Sequence, residues 1–282
     1  MKYKIEKLLG EGKFGMVYKG WNIRSQQPVA IKLEKGDIRL LKHETTILHY
    51  LHSKGVRNIP MILWYGIYAD QFPCLIMPFY KCSLLDLSLK LDALTLSYVM
   101  QNMLSILENI HGHGVIHRDI KPQNFMMSSG AMTDICLIDF GLATYYMEDH
   151  KTHIPMEKHR EHILGTPKYI SLYVHEGIAP SRRDDLISLG YVFMYLKYGG
   201  LPWDGIPEGD NNTLSPTHVS HRRNQIIKMA KERVKEEMET HEGGDLDAME
   251  KRCVQYWQYC NRLEFDTTPN YGALIRLFSL DS

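Results

Sequence analysis

Two short segments constrain the fold of this chain more than anything else in it: His117-Arg118-Asp119-Ile120-Lys121-Pro122-Gln123-Asn124 and, shortly after, Ile138-Asp139-Phe140-Gly141. The first places on one compact loop an aspartate that can accept a hydroxyl proton, a lysine that can hold a transferring phosphate and an asparagine that can ligate Mg2+. Asp139 supplies the other metal ligand. Asp and Asn are also common in turns for backbone reasons alone, so each piece has an ordinary reading. The whole set in this order is hard to obtain that way, and it points to phosphoryl transfer.

Earlier residues extend the set. Leu9-Gly10-Glu11-Gly12-Lys13-Phe14-Gly15-Met16-Val17 fits G-x-G-x-x-G-x-V, in which a glycine-rich hairpin brings backbone N–H groups onto the phosphates of ATP. The same glycines could open a dinucleotide-binding unit, where they lead into a helix; here Met16-Val17-Tyr18-Lys19-Gly20-Trp21 continues with strand-like alternation. Val29-Ala30-Ile31-Lys32 matches a strand whose lysine pairs the α- and β-phosphates, although any single lysine is more often a surface residue. Leu40 to Leu51 carries apolar residues three and four apart, the pattern of a helix. Its Glu44 is the candidate partner of Lys32, against the ordinary reading of a solvated helix glutamate.

Composition narrows the class. A chain of 282 residues that is 44% hydrophobic can bury a sizeable core and exceeds the usual size of a single domain, which suggests two lobes. With 33 basic and 33 acidic residues there is no global field to favour nucleic acid or an anionic membrane. The 5 cysteines are odd in number and lack C-x-x-C spacing, so a reducing compartment is expected, with neither a disulfide framework nor a zinc site. Lys2 to Lys7 alternates charged and apolar residues with no signal-peptide pattern, and no apolar run reaches bilayer length.

Residues 1 to 77 read as strands broken by one helix, a small β-rich lobe ending on Phe72-Pro73-Cys74-Leu75-Ile76-Met77. Pro78-Phe79-Tyr80-Lys81 is the expected connector, because proline ends the ladder. From Ser83 onward helical periodicity dominates: Leu94 to His111 is amphipathic, and Asp184 to Tyr198 is apolar enough to be buried. Lys231 to Glu242 is charge-rich and reads as a solvated helix face.

On these motifs the chain resembles the protein kinases, and more narrowly the casein kinase 1 group of Ser/Thr protein kinases. The narrower likeness rests on His117 to Phe125, on Thr152-His153-Ile154-Pro155, on Leu164-Gly165-Thr166-Pro167-Lys168-Tyr169, and on Ser181-Arg182-Arg183-Asp184-Asp185-Leu186, the stretch most specific to that group. Leu201-Pro202-Trp203 and Phe265 to Tyr271 follow the same pattern. The resemblance implies an α+β bilobal protein kinase fold over residues 1–282: a β-rich N-lobe with one main helix (1–77), a hinge (78–81) and a larger, mostly helical C-lobe (82–282). It implies ATP and Mg2+ as cofactors, ATP lying between the lobes and Asn124 and Asp139 ligating the metal. Adenine would meet the backbone of Phe79 and Tyr80, with Val17 and Ala30 above, Met126 and Ile138 below and Met77 at the back; taken singly, each apolar residue reads as ordinary core packing. Leu9 to Gly15 would cover the phosphates.

The same resemblance implies transfer to protein serine or threonine, with Lys121 the residue expected of that class, Thr166 bonded across to Asp119 and Lys121, and Asp185 bracing the catalytic loop. Leu142 to Leu164 shows no phosphosite in the customary place, so activity without activation-segment phosphorylation is expected. Arg118 and Lys168 would form an anion site for acidic or phosphorylated substrates. That site departs from the group at Thr144 and Glu161, where related kinases carry lysine, and at Pro207 to Asn212, which replaces a basic stretch. A monomer acting on protein substrates is expected, with no nucleic-acid or membrane partner, in the cytoplasm with the nucleus left open. Two alternatives remain: a pseudokinase scaffold, disfavoured by the full set Lys32, Glu44, Asp119, Asn124 and Asp139, and a small-molecule kinase of related fold, disfavoured by Arg118 and Arg182-Arg183.

Overall fold

The structure, a computed structural model, describes residues 2–12, 15–36, 40–69, 71–87, 91–127, 134–149, 152–158, 163–206, 216–240 and 246–279, the side chains of 216–220 excepted. Its main strands are β1 (Tyr3–Gly12), β2 (Gly15–Asn22), β3 (Pro28–Glu34), β4 (Trp64–Tyr68), β5 (Phe72–Pro78), β6 (Cys82–Ser83), β7 (Val115–Ile116), β8 (Phe125–Met127) and β9 (Ile135–Leu137). The α-helices are α1 (Leu40–Ser53), α2 (Ala93–Gly112), α3 (Leu172–His175), α4 (Arg182–Tyr198), α5 (Pro216–Thr240), α6 (Ala248–Asn261) and α7 (Tyr271–Leu277). The chain divides into two compact units, one of residues 1–86 with 123–144 and the other of 87–122 with 145–282.

In the first unit β1 to β5 form an antiparallel sheet in the order β1-β2-β3-β5-β4. The period of two along a strand sorts β3 into two sets. Val29, Ile31 and Leu33 bury on one face with Tyr3, Cys74 and Ile76. Ala30 and Lys32 share the other face with their partners Met77 and Leu75, which pack on Leu41 of α1. The buried stripe of α1 is Leu41, Glu44, Thr45, Ile47, Leu48 and Leu51, the three-and-four spacing that makes a helix amphipathic. One member of that stripe is a carboxylate, and Glu44 has no exposed surface. The hairpin of β8 and β9 belongs to this unit, where β8 pairs with β6 and Asn58 adds a further tie. Its carbonyl accepts from Leu137 N and its Nδ2 donates to Ile135 O, each at 2.9 Å.

The second unit is mostly helical and built around α4, in which every residue from Arg182 to Met194 is buried. A helix this enclosed needs its end groups satisfied inside the protein. Ser181 N donates to Asp184 Oδ2 at 2.8 Å at the start, and Gly199, with φ of 77°, turns the chain at the end. α2 and α6 pack against α4. α2 is capped by Asp92, which accepts from Thr95 N at 2.8 Å, and α6 by reciprocal bonds of Asp247 and Glu250 at 2.7 and 2.9 Å. Phe278, after α7, has no exposed surface and lies 5.2 Å from the Phe193 ring and 5.8 Å from that of Tyr256. Burying an aromatic of this size contributes about 1.5–3 kcal/mol.

The expectation of a solvated face from residue 231 onward fails at its first residue. Glu236, Glu237 and Glu239 are exposed on α5, but Lys231 has no exposed surface. It continues the buried stripe Ile227, Lys231, Val234, spaced four and three, and its ammonium is taken up by backbone carbonyls.

Candidate active site

In the first unit, period-two alternation on β3 and the buried stripe of α1 bring Lys32 and Glu44 together. Lys32 Nζ lies 2.8 Å from Glu44 Oε2 and 2.6 Å from Asp139 Oδ1. Glu44 uses its other oxygen to accept from Phe140 N at 3.2 Å, so a single buried carboxylate holds both the lysine and the backbone just after Asp139. The neighbouring His43 adds a second tie from α1, its Nε2 lying 2.7 Å from Ala143 O. Burial opposes the charge on Lys32, but the Glu44 and Asp139 carboxylates outweigh it and raise its pKa. Burial pushes the Glu44 carboxyl up against the pull of Lys32. Asp139 itself is in the left-handed region, φ 69°, a conformation aspartate tolerates better than most residues. Ile138 N donates to Asn124 O at 2.8 Å, which brings the segment before Asp139 alongside Asn124.

The glycine-rich hairpin joins β1 to β2. A Cβ on Gly15 would sit 2.1 Å from Leu33 O, so glycine is required there by strand packing. Gly10 and Gly12 differ: a Cβ would meet nothing within 4 Å, and neither has a positive φ. Among the described residues nothing calls for glycine at these two exposed positions, whereas close approach of a ligand to the backbone would. Leu9 and Glu11 are exposed, and Glu11 is paired with Lys35. Lys13 and Phe14 lie outside the described residues. Val17, Ala30, Phe79, Tyr80, Met126 and Ile138 are half-buried and Met77 is buried, all within this unit. The Tyr80 hydroxyl accepts from Cys136 Sγ at 3.2 Å.

The second unit holds the other cluster. Asp119, 7% exposed, receives Lys121 Nζ on Oδ2 at 2.6 Å and Thr166 Oγ1 on Oδ1 at 2.7 Å. Lys121 also donates to Thr166 Oγ1 at 3.3 Å, closing a triangle of the three side chains. Behind it Asp185 accepts from three donors: His117 N at 2.7 Å, Arg118 N at 2.8 Å and His111 Nε2 at 2.9 Å. Because a carboxylate only accepts, it is His111 that donates, from Nε2. Burial pushes Asp185 up, but the hydrogen bond and charge of His111, with His117, bring it below its ordinary value. These bonds hold Arg118 at φ 67°, a conformation that costs a non-glycine residue about 1–2 kcal/mol. Gly165, φ 93°, is where the next segment crosses this loop; a Cβ there would stand 2.6 Å from Arg118 O.

Residues 3–260 match the family model described as the protein kinase domain. The chain belongs to the protein kinase family. The family's members are phosphotransferases, and this kinase has the family's α+β fold, an antiparallel sheet with its helix in the first unit and a helical second unit. Among the described residues no helix is long and apolar enough to cross a membrane.

Some residues of the kinase were placed by sequence without their partners. Lys168 pairs with Asp204, Nζ to Oδ1 at 2.6 Å, and lies 4.7 Å from the centre of the Tyr195 ring. The lysine assigned to an anion site is therefore already matched by a carboxylate of its own chain. Thr144 is half-buried, while Glu161 and Pro207 to Asn212 lie outside the described residues. Sequence reading passed over His43 and Asp204 and took Lys231 for part of a solvated face. Only Lys231 carried a sequence signal, its place on the Ile227–Val234 stripe.

Proposed function

We propose that this kinase is an ATP-dependent serine/threonine protein kinase of casein kinase 1 type, competent without phosphorylation of its activation segment. The observation that carries the reading is Glu44, which engages Lys32 and Phe140 N at once. α1 and the Asp139 segment are thereby joined by side chains and backbone of the chain itself. A covalent switch acts by creating such contacts.

In this reading Asp119 takes the proton of the acceptor hydroxyl as its oxygen bonds to the γ-phosphorus and the bond to the β-phosphate oxygen breaks, giving phosphoprotein and ADP. Lys121, bonded to Asp119 and Thr166, stabilises charge on the moving phosphoryl group, and Lys32 orients the α- and β-phosphates. Gly10 and Gly12 leave the hairpin backbone open to those phosphates, and the apolar set from Val17 to Ile138 takes the adenine. Asn124 and Asp139 would hold Mg2+, for which oxygen donors are the fitting kind; the Asp139 side chain is 39% exposed and so accessible to an ion. Bound there, the ion would neutralise phosphate charge. The Ser/Thr assignment draws on the Asp119–Lys121–Thr166 triangle, and the casein kinase 1 assignment on Ser181 to Leu186.

The testing experiment offers the protein casein, a tyrosine-only peptide, sugars and aminoglycosides with labelled ATP. Label on casein serine or threonine supports the proposal, whereas label confined to a small-molecule acceptor or to tyrosine refutes it.

A further inference from the structure

Thr166 donates to Asp119 Oδ1, so the residues that follow it lie beside the place an acceptor hydroxyl must reach. Three of their carbonyls are held by side chains from elsewhere in the second unit. Lys231 Nζ, from α5, donates to Pro167 O at 2.8 Å and Ile170 O at 2.6 Å. Trp203 Nε1 donates to Lys168 O at 2.9 Å. The other neighbours of the ammonium are His175 Nε2 at 3.2 Å and the rings of Tyr191 and Trp203, with centroids at 4.8 and 5.3 Å.

This is an unusual use of lysine. Its partners are two carbonyls, an imidazole and two rings, and burial pulls Lys231 well below its ordinary pKa. Burial and the nearby ammonium lower His175 to about 3, which keeps the imidazole neutral. A buried amino group with no carboxylate among its described neighbours is a poor device for stability, since an apolar residue of similar volume often serves as well or better. What an apolar residue could not supply is two directed N–H bonds to carbonyls that flank Lys168 and Tyr169.

We propose that Lys231 is a positioning residue for the protein acceptor: by fixing the Pro167 and Ile170 carbonyls it sets the backbone of 167–170, against which the acceptor chain docks. It acts through that backbone. The role rests on the protein-kinase reading above.

The test is steady-state kinetics of Lys231→Met and Lys231→Arg on a casein-derived peptide, varying peptide and ATP in turn, beside thermal denaturation. Lys231→Met keeps the volume and removes both donors. Its melting temperature should stay within about 4 °C of wild type while kcat/KM for the peptide falls roughly tenfold or more, chiefly through KM. KM for ATP should change by less than about twofold, because nucleotide binding does not pass through this segment. Lys231→Arg, which restores directed donors, should recover part of the loss. A folded Met variant with wild-type kcat/KM for the peptide overturns the role. Should that variant not fold, Trp203→Phe carries the test by removing the N–H to Lys168 O together with part of the ring beside Lys231. It must raise the peptide KM and spare that for ATP, and an unchanged peptide KM overturns the proposal. A wild type that phosphorylates no protein acceptor overturns the kinase reading itself instead.

Discussion

Asp185→Asn isolates the brace behind the loop that carries Asp119. The carboxylate accepts from His111 Nε2 and His117 N on Oδ2 and from Arg118 N on Oδ1. Asparagine oriented with its oxygen in the Oδ2 place keeps two of these bonds and turns an NH2 group toward Arg118 N, donor against donor. A hydrogen bond to a charged acceptor contributes about 1.5–3 kcal/mol, and a buried donor left unpaired costs about 1–3 kcal/mol. The losses overlap, since the lost bond and the orphaned donor are one event, and Arg118 can relax its φ of 67°. A destabilisation of about 2–4 kcal/mol is expected, with kcat down at least ~10-fold because Asp119 is the next residue along the loop. Urea denaturation and initial rates at saturating ATP measure the two. The pH dependence has a definite sign: a carboxyl whose folded pKa is below its unfolded value contributes stability that is present above the unfolded pKa and lost as pH falls through the folded one. Wild type should therefore lose part of its stability on acidification below pH of about 4, and the Asn variant should lack that component. Unchanged urea midpoint and unchanged kcat in Asp185→Asn would refute the brace.

Two further outcomes are expected. Phosphatase-treated protein, its phosphate removal checked by mass spectrometry, should phosphorylate casein at the rate of untreated protein; activity that collapses and returns with phosphate between Thr144 and Thr166 would show a covalent switch. Asp204→Asn should free Lys168 and raise the ratio of kcat/KM for a phosphoprimed over an unprimed peptide by roughly three- to tenfold, the modest size reflecting a solvent-screened pair; an unchanged ratio would show that Lys168 does not meet the substrate phosphate.

The sequence made some features legible because their spacing is itself the physics. Lys32 is marked by the Val29-Ala30-Ile31-Lys32 segment behind a glycine hairpin, Glu44 by the helical pattern of Leu40 to Leu51, and the enclosure of α4 by its near-continuous apolar run. The loop geometry around Asp119 came from resemblance, and the structure adds what holds it: Asp185 beneath, Thr166 across. What escaped were pairings whose partner has no side-chain signature. Lys231 ends on the carbonyls of Pro167 and Ile170, and His43 on that of Ala143, so neither pairing is written in residue types. Asp204 lies far along the chain from Lys168, and only folding brings them to 2.6 Å. The grouping of residues 123–144 with the first unit likewise draws on ties such as Asn58, whose amide and carbonyl meet a hairpin distant in sequence.

The central claim is that Lys32 and Asp119 perform phosphoryl transfer to a protein hydroxyl. The most direct test is the rate of labelled phosphate transfer from ATP to casein serine or threonine by wild type, Lys32→Met and Asp119→Asn, each shown to be folded. Transfer by wild type, with kcat lower by at least ~10²-fold in both variants and KM for ATP little changed in Asp119→Asn, is the predicted result. Folded variants that turn over casein at near wild-type rates, or a folded wild type that labels no protein at all, would contradict it.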